Sequence, residues 1–300
     1  MRRHAHVPLS AALLVVTASA CFTVIDVSVK FLSERYPVPL LVWARWSVQA
    51  LLLLALFGPR LRWKLVRTGR LKLQLTRGAV LIGSSVCFFS ALKYLPLAEA
   101  TALSYTSPVL VTLMAGWFLS ERLTAPRWAF VAAGMVGMLL IVRPGSAILT
   151  PSALFALSSA TLYAVFQILT RKLAGEDLML LLMYPALVGA VVLSLPVPFI
   201  EDRSWYPIRD VVLFIGIGFM GFLGHLLFVR AFQRASASAI APFTYVQLVW
   251  STLAGWLVFG SFPDTLALCG IVVIAGSGVV LTWYERWRAS LPQSEPVAVD

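Results

Sequence analysis

Residues 9–32 read LSAALLVVTASACFTVIDVSVKFL, twenty-four residues in which only Asp26 and Lys30 carry charge. That length exceeds the roughly 20 apolar residues a helix needs to cross a bilayer. The same texture fills the chain: of 300 residues 60% are hydrophobic and 12% charged, with a mean hydropathy of +0.87. Such a composition excludes a water-soluble globule and could supply about ten spans with short connections. The stretch after Arg2 and Arg3 has the look of a signal peptide, and Ala18-Ser19-Ala20-Cys21 that of a lipoprotein cleavage site. The apolar run nevertheless continues to Leu32, where a mature lipoprotein would turn polar, so it reads as a first span.

Charged and Pro/Gly-rich breaks predict ten helices, at about 9–32, 38–58, 76–95, 98–119, 126–143, 151–171, 178–199, 209–230, 237–260 and 264–284. Short connections make consecutive helices antiparallel. A cytoplasmic start places Arg2, Arg3, Arg60, Arg62, Lys64, Arg67, Arg70, Lys72, Arg77, Arg122, Arg127, Arg171, Lys172, Arg230, Arg234, Arg286 and Arg288 inside. Only Arg35, Lys93, Arg143, Arg203 and Arg209 fall outside, with Lys30 and Arg45 within helices. This asymmetry sets both termini in the cytoplasm. The basic run from Arg60 to Arg77 is explained by topology and anionic lipid rather than by nucleic acid.

The halves resemble each other. A shift of about 139 residues lays Ala115-Gly116-Trp117 on Ala254-Gly255-Trp256, Phe89 on Phe228, Ala98 on Ala237 and Gly137 on Gly276. Five spans per half is odd, so the second copy enters the membrane upside down, and such inverted repeats hold substrate near the midplane between the halves. Gly216, Gly218, Gly221, Gly224, Gly270, Gly276 and Gly278 read as surfaces for close helix packing.

Enzyme signatures are absent: no GxSxG, HExxH, P-loop or GxGxxG occurs, and neither a metal nor another cofactor is expected. Cys21, Cys87 and Cys269 read as small core residues. Attention falls on polar groups at membrane depth, which are costly and so face protein or a wet cavity. Asp26 reads as the only carboxylate well inside a span. It is either a protonation or substrate-ammonium site, or the partner of Lys30, one helical turn on, or of Arg45. Arg45, within Trp43-Ala44-Arg45-Trp46, is a substrate-carboxylate ligand or an interfacial anchor. Glu99 reads as solvated. Tyr105, Ser107, Pro108, Tyr163, Gln167, Pro242, Tyr245, Gln247 and Trp250 together suggest a cavity lining, with the prolines bending their spans. His225 is either a proton relay or a histidine bonded to a neighbouring backbone.

Ala98-Glu99-Ala100-Thr101-Ala102-Leu103 with Ser107-Pro108, Trp117-Phe118-Leu119-Ser120-Glu121-Arg122, and Ala241-Pro242-Phe243-Thr244-Tyr245 with Phe262-Pro263-Asp264 resemble the drug/metabolite transporter superfamily. Within it, the chain is similar over nearly its whole length to the ten-helix type with two EamA repeats. The resemblance implies an all-α polytopic protein of the bacterial inner membrane. It would hold two inverted five-helix repeats over residues 1–143 and 144–288, then a disordered cytoplasmic tail over 289–300. It also implies secondary transport, with members that export amino acids and related metabolites and others that take up vitamins or S-adenosylmethionine. A Glu commonly ends helices 4 and 9 in that family. Glu121 matches the first in a structural role, whereas Ser261 stands at the second. Asp26-Val27-Ser28-Val29-Lys30 resembles helix 1 of the subgroup with S-adenosylmethionine carriers, and a shift of 141 lays Asp26 on Gln167 and Lys30 on Arg171.

The expected activity is proton- or gradient-driven export of a small amino-acid-derived zwitterion, such as an amino acid or an opine-type metallophore. The alternatives are uptake of a cofactor such as S-adenosylmethionine or riboflavin, and a scaffold that transports nothing. Expected partners are a small-molecule substrate and the lipid bilayer, with a homodimer open to such a chain and nucleic acid excluded.

Overall fold

The computed structural model describes residues 9–61, 66–118, 124–142, 151–173, 175–200, 205–235 and 237–290. Glu121, Ser120 and most of the carboxyl-terminal tail lie outside them. The described residues form helices without strands. In chain order these are α1 (Leu9–Leu32), α2 (Val38–Leu61), α3 (Leu71–Tyr94), α4 (Leu97–Ser104), α5 (Ser107–Phe118), α6 (Ala125–Val142) and α7 (Pro151–Lys172). There follow α8 (Leu178–Ser194), α9 (Val197–Ile200), α10 (Ile208–Arg234), α11 (Ala237–Thr244), α12 (Val246–Phe259) and α13 (Thr265–Ser290). Seven are long and apolar enough to cross a membrane, namely α1, α2, α3, α6, α7, α10 and α13.

Three helices expected whole are each divided. The predicted 98–119 helix is α4 plus α5, broken at Tyr105 and Thr106. There the last turn tightens, with Tyr105 N–H reaching the Ala102 carbonyl and Thr106 N–H the Leu103 carbonyl, each at 3.1 Å. Pro108 then occupies the first turn of α5, where its missing N–H costs little. The predicted 237–260 helix breaks at Tyr245, just after Pro242, and the 178–199 helix at Leu195 and Pro196. A chain that changes direction in mid-path exposes carbonyls that something else must satisfy.

Arg77 corrects the sequence reading. Helix α3 begins at Leu71, not 76, so Arg77 lies nearly two turns inside it and is only 3% exposed rather than part of a solvated basic loop. Its Nε donates to Thr170 Oγ1 at 2.8 Å, and Nη1 and Nη2 donate to the Leu181 carbonyl at 3.1 and 3.0 Å. That carbonyl is free because Pro185, four residues on within α8, has no N–H to offer. Arg77 thereby joins α3, α7 and α8, with its guanidinium also over the Phe166 ring.

Glycines set the other close crossings. A methyl group at Gly218 would collide with Val48, and one at Gly224 would lie 2.8 Å from the Phe22 ring, so α10 presses directly on α2 and α1. Helices α6 and α13 meet backbone to backbone: a Cβ on Gly137 would lie 2.9 Å from the Gly270 carbonyl, and one on Gly270 2.6 Å from that of Gly137. Gly216 and Gly276 instead face open space, against the reading of all these glycines as packing surfaces. Gly270→Leu should therefore destabilise the fold by about 1–3 kcal/mol or more through overpacking, and Gly216→Leu by far less. Thermal midpoints of the two purified variants would show the ranking, and equal midpoints would refute it.

Candidate functional site

A cavity of about 570 Å³ opens between the broken helices and the long ones. Its volume falls in the range of small-molecule sites. Asp26, Arg45, Tyr105, Pro108, Tyr163, Gln167, His225, Tyr245 and Gln247 all line it, together with Ser107.

Asp26 reaches the cavity from the buried stripe of α1 that also holds Ile25 and Val29, and is 4% exposed. It accepts a long bond from Gln247 Nε2 at 3.4 Å. Gln247 Oε1 faces Tyr105 OH at 3.2 Å, and the same hydroxyl lies 2.7 Å from the Thr244 carbonyl. This orientation of the Gln247 amide is the one a carboxylate selects, since the flipped form would set an oxygen against Asp26. The Thr244 carbonyl ends α11 at the break before α12, so Tyr105 spans the two helix breaks, aided by a ring contact with Tyr245 at 5.4 Å.

Arg45 is the other charged group on the wall. Its Cζ sits over the Trp46 ring at 4.7 Å and the Phe89 ring at 5.6 Å, contacts that use the face of the guanidinium and none of its N–H hydrogens. Neither a hydrogen bond nor an ion pair within 4.0 Å reaches it among the described residues, and its buried Nε lacks a partner. Acid and base thus face one cavity without meeting. His225, on α10, stacks on Trp46 at 6.3 Å and meets Phe22 edge-on at 5.2 Å, and its Nε2 is likewise without a partner. From α7, Tyr163 and Gln167 enter one turn apart.

Lys30 is placed elsewhere. Although one turn from Asp26, its Nζ donates to the Leu92 and Leu95 carbonyls at 2.9 and 2.7 Å and lies over the Phe259 ring at 5.6 Å. Pro96 cannot donate to the Leu92 carbonyl, so Lys30 closes the end of α3 as Arg77 closes the gap in α8. Trp250 and Pro242 are not on the wall, and the Trp250 Nε1 is buried without a partner. Asp26 also has buried acidic company. Asp210, 1% exposed in the first turn of α10, accepts from Tyr36 OH at 2.7 Å and pairs with Arg35 at 3.5 Å. Glu99, read as solvated, is 8% exposed in α4.

Sequence reasoning passed over Trp46 as a lining residue, Phe22, and the wall serines other than Ser107. Ser84 and Ser159 each donate to the other's carbonyl at 3.0 Å, fastening α3 to α7. Small hydroxylated residues inside apolar helices were the available signal for that crossing. Among the described residues no three His, Cys, Asp or Glu cluster as a metal site would require, and the three cysteines are free.

The model of the EamA-like transporter family matches the chain twice, over residues 9–143 and again over 150–283. The chain belongs to the EamA-like transporter family. This EamA-like protein is accordingly a multi-pass membrane transporter. It is 28% identical over 224 residues to an S-adenosylmethionine uptake transporter of Rickettsia conorii, covering 74% of this chain and 75% of that one. It is 29% identical over 274 residues to the pseudopaline exporter CntI of Pseudomonas aeruginosa, covering 91% and 96%. To a riboflavin transporter of Vibrio cholerae it is 28% identical over 296 residues, covering 95% and 96%. A crystal structure at 20% identity shares the fold, with a TM-score of 0.65 over 92% of this chain and 98% of the other.

Proposed function

We propose that this EamA-like transporter carries a small zwitterionic metabolite derived from amino acids out of the cell, by alternating access driven by a proton or other gradient. The observation that carries this reading is the presence of Asp26 and Arg45 on one cavity wall without an ion pair between them. Two opposite charges left apart at membrane depth call for a ligand with an ammonium and a carboxylate. Tyr105, Tyr163 and Tyr245 add aromatic faces for an apolar or ring portion. The likeness to a pseudopaline exporter over nine-tenths of the chain favours outward movement.

On this reading α4 with α5, α8 with α9, and α11 with α12 each count as one crossing. The chain then crosses the bacterial inner membrane ten times as two inverted five-helix repeats, with both termini in the cytoplasm. The second reading, uptake of a cofactor such as S-adenosylmethionine, draws on the volume of about 570 Å³, generous for a free amino acid. A neutral flavin would leave Asp26 and Arg45 without counterparts.

Small molecules inside and outside cells lacking the gene, compared with those of cells overproducing the protein, test the reading. A zwitterion retained inside the deletion strain and enriched outside the overproducer is the expected result. One left outside the deletion strain and drawn from the medium by the overproducer would replace export with uptake. No change in any metabolite, with the protein verified in the membrane, would favour the scaffold.

A further inference from the structure

Among the described residues, three buried nitrogens around one part of the cavity make no hydrogen bond, Arg45 Nε, Trp46 Nε1 and His225 Nε2, and the nearby Gln49 Oε1 is buried without a partner as well. They belong to side chains already in mutual contact, Arg45 over the Trp46 ring and His225 stacked on its face. All three side chains line the cavity. Ring stacking consumes none of their hydrogens, so the guanidinium fork, the indole N–H and an imidazole N–H are all still to be bonded. Leaving such groups buried and unsatisfied costs free energy that a ligand acceptor would recover. Gly221 backs the group closely, since a Cβ there would lie 3.6 Å from Arg45 Nε and 3.1 Å from Gln49 Oε1.

We propose that Arg45, Trp46 and His225 form the subsite for the substrate's carboxylate, with Trp46 and His225 as specificity-determining hydrogen-bond donors beside the charge of Arg45. A carboxylate offers about four lone pairs and is matched in shape by the guanidinium fork. Indole can only donate, so Trp46 turns the subsite against ligands that present a hydrogen at that point, amides and alcohols among them. His225 takes the tautomer that donates to the ligand, because no protein group bonds its Nε2. Asp26, held by Gln247 from the other side, is left for the ammonium end. The assignment deepens the zwitterion reading and rests on it for the second charge, but the anion subsite can be tested alone.

The test is thermal unfolding of the purified, lipid-embedded protein titrated with propionate, with propionamide as the uncharged isostere and chloride at matched ionic strength. Propionate should raise the midpoint in a saturable manner and propionamide should not. Trp46→Phe and His225→Phe, which keep an aromatic ring but remove its N–H, should each weaken propionate roughly tenfold, and Arg45→Gln should abolish the shift. Should Arg45→Gln fail to insert, Trp46→Phe and His225→Phe still decide, since each removes one donor and keeps an aromatic side chain. No saturable shift in the wild type, or equal shifts in wild type, Trp46→Phe and His225→Phe, overturns the subsite. The transport reading fails separately: a saturable propionate shift with no metabolite moved in cells keeps the subsite and rejects transport. Unchanged export by Trp46→Phe and His225→Phe does the reverse.

Discussion

Asp26→Asn and Arg45→Gln should each lower movement of the exported metabolite by about a hundredfold or more, at unchanged amounts of protein in the membrane. Each substitution removes a charge-assisted bond to the ligand and leaves the ligand's own charge desolvated without a counterpart. That loss is on the order of 3 kcal/mol or more, and every 1.4 kcal/mol is tenfold. Asp26→Asn is isosteric, Arg45→Gln keeps a polar side chain on a shorter stem, and neither native side chain holds helices together through an ion pair, so folding should survive both. Initial rates of efflux from loaded cells, normalised to membrane protein, are the measurement. Rates within twofold of wild type for both variants would remove Asp26 and Arg45 from the transport site.

A second large effect is expected at a residue that does not line the cavity. Arg77→Met strips the Leu181 carbonyl of both its donors and leaves it buried beside Pro185, at a cost of about 2–4 kcal/mol. Pro185→Ala supplies the missing N–H within α8 itself, because alanine at that place can donate to the Leu181 carbonyl. The double variant should therefore be more stable than Arg77→Met alone by about 1 kcal/mol or more, while Pro185→Ala alone changes little. Urea or thermal unfolding of the four proteins gives the coupling. Strict additivity would mean that Arg77 stabilises the fold through something other than this carbonyl.

Much of the architecture was legible because it follows from composition. Long apolar runs bounded by charge predicted α1, α2, α6, α7, α10 and α13 within a few residues at most ends. The halves were also visible, and the family model matches twice along the chain. What could not be read were facings and long-range partners. Asp26 and Lys30, four residues apart, share a helical stripe, yet Lys30 is engaged by two carbonyls more than sixty residues away, that of Leu95 and the Leu92 carbonyl that Pro96 leaves free. Arg77 looked like one more basic loop residue because nothing local marks where α3 begins. The helix breaks were foreshadowed by Pro108 and Pro242, but where each break falls depends on tertiary contacts such as Tyr105 with Thr244. Of the polar and aromatic set, most members meet at the cavity. Trp250 was indistinguishable from them in sequence, since a tryptophan's face is fixed only by the helix packed against it.

The tight seating of α10 on α1 and α2 bears on motion. With Gly218 against Val48 and Gly224 against Phe22, α10 seats too closely on both helices to leave room for a side chain at either glycine. Such an assembly is expected to travel as one rigid body, with opening and closing taken up along other seams. Tyr105 and Thr244, where one hydroxyl spans two helix breaks, mark one such seam. Arg45 and Trp46 on α2, His225 on α10 and Phe22 on α1 all ride within the rigid body. A ligand held there would keep its acid group in an unchanging grip throughout the cycle, and only what surrounds its other end would be exchanged.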